Sequence, residues 1–273
     1  ELGCLLNKPV KQPEVLTKFV SKPTKDKMKL EVLDTELCPR YTGRYIAGVK
    51  IGPSPAWLQK RLEAIGMNSI NNVVDVTNYV MLEMGQPLHA FDADLLKGAA
   101  VKVRKAQKGE KFTTLKEQEL TMTGEELLIC DSEKAVALAG VIGGLNSGVS
   151  EKTQNIFLES ASFNAMGVRK SSRSHGVETD SAYRFARGVD QSGAMQMSDR
   201  AALLIQQIAG GEVYDNAYDV YPKPVTKKPI AITLKTVSDR LGYAADEKLF
   251  LTYMKGLQIK VETKSPGEYV LTQ

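Results

Sequence analysis

Between Val101 and Ile142 the apolar residues come in short alternating runs, Val101/Val103, Phe112/Leu115, Leu120/Met122 and Leu127–Ile129. No run is long enough for a helix. Side chains alternate faces along a strand, so this period commits the stretch to hairpins and a sheet. Helical spacing governs elsewhere. In Ser192–Ala209 the residues Ala194, Met197, Ala201, Leu204, Ile205 and Ile208 fall on one face, and Gly210-Gly211 stops the helix. Ser54-Pro55 opens another, with Ser54 the expected N-cap and Trp57, Leu58, Leu62 and Ile65 its apolar stripe. A third helix is expected over Val73–Met84, closed by Gly85. Leu30–Leu33, Arg44–Ile51, Ala135–Ile142 and Asn155–Phe163 read as strands, the Ala135 strand ending in Gly143-Gly144. The fold class expected is α+β: a mixed sheet domain with packed helices.

Residues 1–29 read as the tail of a helix and a Lys/Pro-rich tether, which suggests a piece of a longer protein. The main domain is expected over 30–221. A linker follows at 222–229, where prolines and lysines favour an extended chain. Residues 230–273 read as strand, helix, helix and hairpin, too few to fold alone. Hydrophobic residues make up 42% of the 273 and charged residues 25%, ordinary for a globular protein. No apolar run reaches the roughly 20 residues of a membrane helix. The three cysteines Cys4, Cys38 and Cys130 are scattered, which argues for free thiols in a reducing cytoplasm. With only His89 and His175, a zinc site is not expected. A net charge of +4 permits an RNA partner without demonstrating one.

Five segments could carry chemistry. In Ile156–Phe163, Glu159 shares a face with Phe157, Ala161 and Phe163. A carboxylate there is costly unless it is paired. It is either partnered by an arginine at the sheet end or an acceptor kept for a ligand. Asp75 and Asn78, beside Thr77, share a helix face; capping and loop bonding explain them as well as catalysis does. His89, in the turn Gly85–Asp92, is a structural histidine or one that orients water. Gly143-Gly144 is a turn or a place where a ligand meets the backbone. The stretch Arg169–Asp190, with Arg169, Lys170, Arg173, Arg184 and Arg187 among hydroxyls, is a solvated basic surface or a phosphate-binding edge. No Ser-His-Asp triad spacing, metal box or nucleotide-binding loop is present.

Taken together, Val73–Asp92, Leu138–Gly144, Thr153–Glu159 and Glu178–Asp190 resemble, in order and spacing, the phenylalanyl-tRNA synthetase beta subunit family. The similar region runs from about Leu30 to Tyr221 and corresponds to that subunit's third and fourth domains. Residues 226–273 look like the start of its winged-helix-like fifth domain. The resemblance implies editing hydrolysis of tyrosine wrongly esterified to tRNA(Phe). It places Glu159 at the glutamate that accepts a bond from the tyrosine hydroxyl. Thr77, Asn78 and His89 fall on residues that hold the attacking water and the ester. Gly143 falls on the glycine that leaves room for the ring, and Thr179 on a pocket threonine. Ser181 stands where the family often has alanine.

The resemblance further implies tRNA(Phe) and the synthetase alpha subunit as partners, a cytoplasmic setting, and neither a membrane nor DNA. No cofactor is expected in this part; ATP and magnesium belong to the whole enzyme, whose ligation site lies on the alpha subunit. The alternatives are a non-catalytic tRNA-binding or subunit-docking module, and a freestanding hydrolase acting on mischarged tRNA in trans.

Overall fold

The computed structural model describes residues 1–16 and 18–272. Contacts divide the chain into two units: Glu14–Pro224, and Glu1–Pro13 together with the chain from Val225 onward. The smaller unit opens with helix α1 (Leu2–Leu5).

The larger unit is built on two sheets. Its first strands are β1 (Val20–Pro23), β2 (Lys29–Val32) and β3 (Arg40–Ala47). Helices α2 (Ala56–Glu63) and α3 (Asn72–Met84) lead to β4 (Leu88–Asp92). Asn71 caps α3 by accepting the Val73 and Val74 N–H groups, and Gly85 closes it at φ 79°, a conformation costly for any residue with a Cβ. The alternating stretch then forms β5 (Ala100–Lys105), β6 (Lys111–Thr113), β7 (Glu119–Thr121), β8 (Leu127–Cys130), β9 (Ala135–Leu138) and β10 (Ile142–Gly143). Next come β11 (Asn155–Ser162), α4 (Ala165–Ser174), α5 (Asp180–Phe185), α6 (Ala194–Ala209), β12 (Glu212–Asp215) and β13 (Tyr218–Val220).

One sheet has the order β1-β12-β3-β11-β4, with β13 also paired to β3; the other runs β10-β9-β8-β5-β2, and β6 pairs with β7. The mixture of parallel (β1·β12, β2·β5) and antiparallel pairs is the α+β arrangement expected. Strand β11 lies between β3 and β4 in the first sheet and separates two cores. Ile156 and Leu158 face Val73, Val76 and Val80 of α3 and Ala201 and Ile205 of α6. Phe157 and Ala161 face the second sheet and the packed residues Val168 and Phe185 of α4 and α5. The apolar-on-both-sides pattern of β11 thus comes from a strand covered on both faces.

Four expectations change. Residues 14–29 are not a tether: β1 pairs with β12, and Met28 is buried in the core. Lysines are frequent in the composition there, but Met28 is buried and Val20 partly buried among them. Ser54 does not cap α2; its hydroxyl donates to Asp75 Oδ2 at 2.6 Å. Trp57 and Ile65 are exposed, and only Leu58 and Leu62 of that stripe are buried. Ala135–Ile142 is a hairpin, because Gly140 turns the chain at φ 69°. A Cβ on Gly140 would lie 2.9 Å from Phe163 and 3.1 Å from Phe185, so the turn is also a close approach.

The smaller unit continues with β14 (Ile230–Thr233), α7 (Leu234–Leu241), α8 (Glu247–Gly256), β15 (Lys260–Ser265) and β16 (Glu268–Thr272), its sheet ordered β14-β16-β15. Among the described residues no helix is long and apolar enough to cross a membrane. No group of three or more His, Cys, Asp or Glu residues among them could hold a metal ion.

Candidate functional site

Glu159 sits midway along β11, opposite Gly43 of β3 on one side and His89 of β4 on the other. Cross-strand partners share a face, so the carboxyl and the imidazole emerge together into the space between the two sheets. Glu159 is only 7% exposed. Its partner is not an arginine. The hydroxyl of Tyr41, itself fully buried, donates to Glu159 Oε2 at 2.6 Å. Burial pushes the carboxyl up to about 7, and the Tyr41 bond opposes the rise. Oε1 accepts no bond among the described residues.

His89 is half-buried, and its Nε2 is wholly enclosed with no hydrogen-bond partner. Burial pushes the imidazole down to about 4, so it is neutral at physiological pH. Its ring packs edge-on against Phe91, centroids 4.4 Å apart. Gly143 closes the space from β10. A Cβ there would lie 2.7 Å from His89 Cε1 and 2.9 Å from Leu115 Cδ1. With Ser181 and Phe185 of α5, these residues surround a cavity of about 60 Å³. That is room for a few waters. The neutral imidazole can position a water, and the Glu159 oxygen can accept from a hydroxyl.

The structure therefore gathers His89, Gly143, Glu159 and Ser181. It does not bring Thr77, Asn78 or Thr179 into that lining. Thr77 is buried on α3 and donates to the Val74 carbonyl at 2.7 Å. Asn78 follows it on the same helix, which packs on the other face of the sheet. Thr179 is the N-cap of α5: it accepts from the Ala182 N–H at 3.0 Å and donates to the Val141 carbonyl at 2.7 Å. It thus ties the Gly140 turn to the helix that carries Ser181. Asp75 is buried and accepts from Ser54, Ser69 and the Ile70 N–H, which makes it an anchor of the α2–α3 corner.

The basic residues do not share one surface. Arg169 and Arg173 of α4 and Arg187 after α5 line a groove of about 510 Å³, with Thr179 and Tyr183. The Arg187 guanidinium lies 3.4 Å from the centre of the Tyr183 ring. Arg184 is paired with Asp180 at 2.9 Å, and Lys170 faces a different cavity beside Glu125 and Glu126. The second histidine, His175, bonds Glu126 at 2.9 Å and ties α4 to the turn after β7.

Sequence reasoning missed Tyr41. The strand was read from Arg44, which left Tyr41 outside it. The available signal was Tyr41-Gly43-Tyr45, two aromatic residues flanking a glycine at a spacing of two, which marks a strand face with a gap in it.

The sequence pattern of the B3/4 domain family matches residues 37–210. The chain is 54% identical over 271 residues to the phenylalanine–tRNA ligase beta subunit of Bdellovibrio bacteriovorus, covering 99% of this chain and 33% of that protein. To the Geobacter metallireducens subunit of the same name it is 47% identical over 266 residues, covering 97% and 33%. An N-terminal fragment of the phenylalanyl-tRNA synthetase beta subunit from Pyrococcus horikoshii aligns at 15% identity and a TM-score of 0.49, over 94% of this chain and 71% of that one. The chain spans about a third of the length of the curated relatives it matches. On these matches the chain belongs to the B3/4 domain family, in the form carried by phenylalanine–tRNA ligase beta subunits.

Proposed function

We propose that the cavity around Glu159 is a hydrolytic editing site for Tyr-tRNA(Phe), working within a phenylalanine–tRNA ligase beside its alpha subunit. The observation that carries this reading is a buried carboxylate with one oxygen bonded inside the protein and the other without a donor, in a cavity whose floor is a glycine. The chemical problem is one oxygen atom. A pocket built for an apolar ring rejects an added hydroxyl only in part, whereas a site built to bond a hydroxyl strongly rejects a ligand that lacks it. Tyrosine would complete the coordination of Glu159 Oε1. Phenylalanine would strip water from it and return nothing.

Glu159 is a specificity residue in this scheme and not a base. His89 is neutral, so one ring nitrogen is free to accept from water while the ester is attacked. An ester is already more reactive than an amide, and positioning with stabilisation of the developing oxyanion suffices without a covalent nucleophile. Leu115, 45% exposed and reaching toward Gly143, is the side chain that yields to admit a ring. Thr77 and Asn78 lie on α3, across the sheet from this cavity, and touch no part of the bound tyrosyl group in this reading. Arg169, Arg173 and Arg187 would hold tRNA phosphates.

The test is deacylation of Tyr-tRNA(Phe) and Phe-tRNA(Phe) by the wild type and by Glu159→Ala, in the chain and in the whole enzyme. Selective loss of the tyrosine ester, abolished by the substitution, supports the reading. Equal hydrolysis of both esters by the wild type overturns it and leaves a tRNA-binding or docking module.

A further inference from the structure

We propose that Tyr41 is a specificity-determining positioning residue of this cavity: its hydroxyl holds Glu159 Oε2 and leaves Oε1 alone to meet a ligand hydroxyl. The inference rests on the editing reading above for its substrate, but not for its structural content.

The register explains why Tyr41 can do this. On β3, Gly43 stands opposite Glu159 and Tyr41 stands opposite Ala161. A side chain at 43 has no space, since a Cβ there would sit 2.1 Å from the Phe157 ring tip. The Phe157 ring therefore covers Gly43, β3 presents no side chain of its own directly opposite Glu159, and Tyr41 reaches the carboxyl diagonally, a contact open to long aromatic residues. A carboxylate offers acceptor sites on two oxygens. Fixing one by a bond of 2.6 Å from an immobile phenol also fixes the rotation of the group, and so the direction of the other.

No charge competes for that oxygen. The titratable groups facing Glu159 are Tyr41 from β3, Cys38 from the turn before it, and His89 from β4. Burial and the neighbouring carboxyl hold the Cys38 thiol well above its ordinary value, so it stays neutral, as does His89. Gly143 of β10 and Ser181 of α5, which close the cavity, carry no charge. Tyr41 is thus the single donor among these groups that supports the ionised form. Its hydroxyl stands in the same relation to Oε2 as a substrate phenol would to Oε1.

Two readouts test this in the full chain: the Glu159 carboxyl titration, followed by carbon-13 NMR of labelled glutamate, and hydrolysis of the two esters. In Tyr41→Phe the Glu159 midpoint should move up by about one pH unit, and the preference for Tyr-tRNA(Phe) over Phe-tRNA(Phe) should fall about tenfold. An unmoved midpoint in the folded variant overturns the proposal, whatever the hydrolysis does. If the midpoint moves but the wild type does not discriminate between esters, Tyr41 keeps its role and the editing reading falls. Should Tyr41→Phe fail to fold, 3-fluorotyrosine placed at 41 is the second variant. Its stronger donor should lower the midpoint, and no change would again overturn the proposal.

Discussion

Glu159 and His89 face each other across the β4–β11 ladder, and the same enclosure moves them in opposite directions, the carboxyl up to about 7 and the imidazole down to about 4. Their ordinary values are 4.5 and 6.5. Glu159, raised, contributes stability that is full below pH 4.5 and lost as pH rises through 7. His89, lowered, contributes stability that is full above pH 6.5 and lost as pH falls through 4. Between 4.5 and 6.5 the two slopes oppose each other, each about 1.4 kcal/mol per pH unit. Glu159→Gln removes one of them. Urea unfolding at pH 6.5 and 4.5 should show the variant losing about 2 kcal/mol more than the wild type on acidification. Parallel losses would sink this account of the pair.

The glycine at 143 is a spatial requirement. In Gly143→Ala the new methyl meets the imidazole, which Phe91 holds in place, and the tip of Leu115, which can swing into solvent. Overpacking of this kind costs about 1–3 kcal/mol. The expected outcome is a folded variant, slightly lowered in Tm, that no longer hydrolyses Tyr-tRNA(Phe). Adding Leu115→Ala should restore part of the stability, and part of the activity if the methyl acts by displacing Leu115.

On the opposite face of β3, Arg44 is buried against Asp199 of α6 and lies over the Phe19 ring at 4.7 Å. Burial lowers the guanidinium pKa and raises that of the carboxyl, so both charges are held at a cost that their pairing helps to offset. Arg44→Met should destabilise by about 3–5 kcal/mol by leaving Asp199 without its cation. The double variant Arg44→Met/Asp199→Leu should recover most of that loss in urea unfolding. A double variant no more stable than the single would show that Arg44 matters through its other contacts.

The basic residues should separate by position. Alanine at Arg169, Arg173 or Arg187 removes a cation from the α4–α5 groove. Each should weaken tRNA binding and lower its salt dependence by about one counterion. Alanine at Arg184, already paired with Asp180, or at Lys170, which faces another cavity, should change binding less than twofold. Filter binding at several salt concentrations distinguishes the two groups.

What the sequence could show depended on range. Helix α3 was readable because its stop, Gly85, is its immediate neighbour in the chain. Strand β11 and the placing of Glu159 on an aromatic face followed from alternation alone. The nature of Glu159's partner did not. The Tyr41 hydroxyl reaches it from another strand, and no local pattern tells whether a buried carboxylate meets an arginine or a phenol. Helices α4 and α5 went unread because Arg169–Asp190 drew attention by composition. The caps that define them, Asn164 and Thr179, are single polar residues among many. The hairpin at Gly140 was hidden for a related reason: a run of apolar residues looks the same whether the chain continues through it or folds back.

The division of the chain has a consequence for its synthesis. Helix α1 packs on α8: Cys4 Sγ contacts the Tyr253 carbonyl at 3.6 Å, and a Cβ on Gly256 would lie 2.6 Å from Cys4 Sγ. Everything between, Glu14–Pro224, is a unit complete within one continuous segment. On the ribosome α1 is made before that segment and meets α8 only after all of it has been made. The inserted unit can finish folding while α1 waits for α8. The contact between α1 and α8 therefore forms only after the inserted unit has been made.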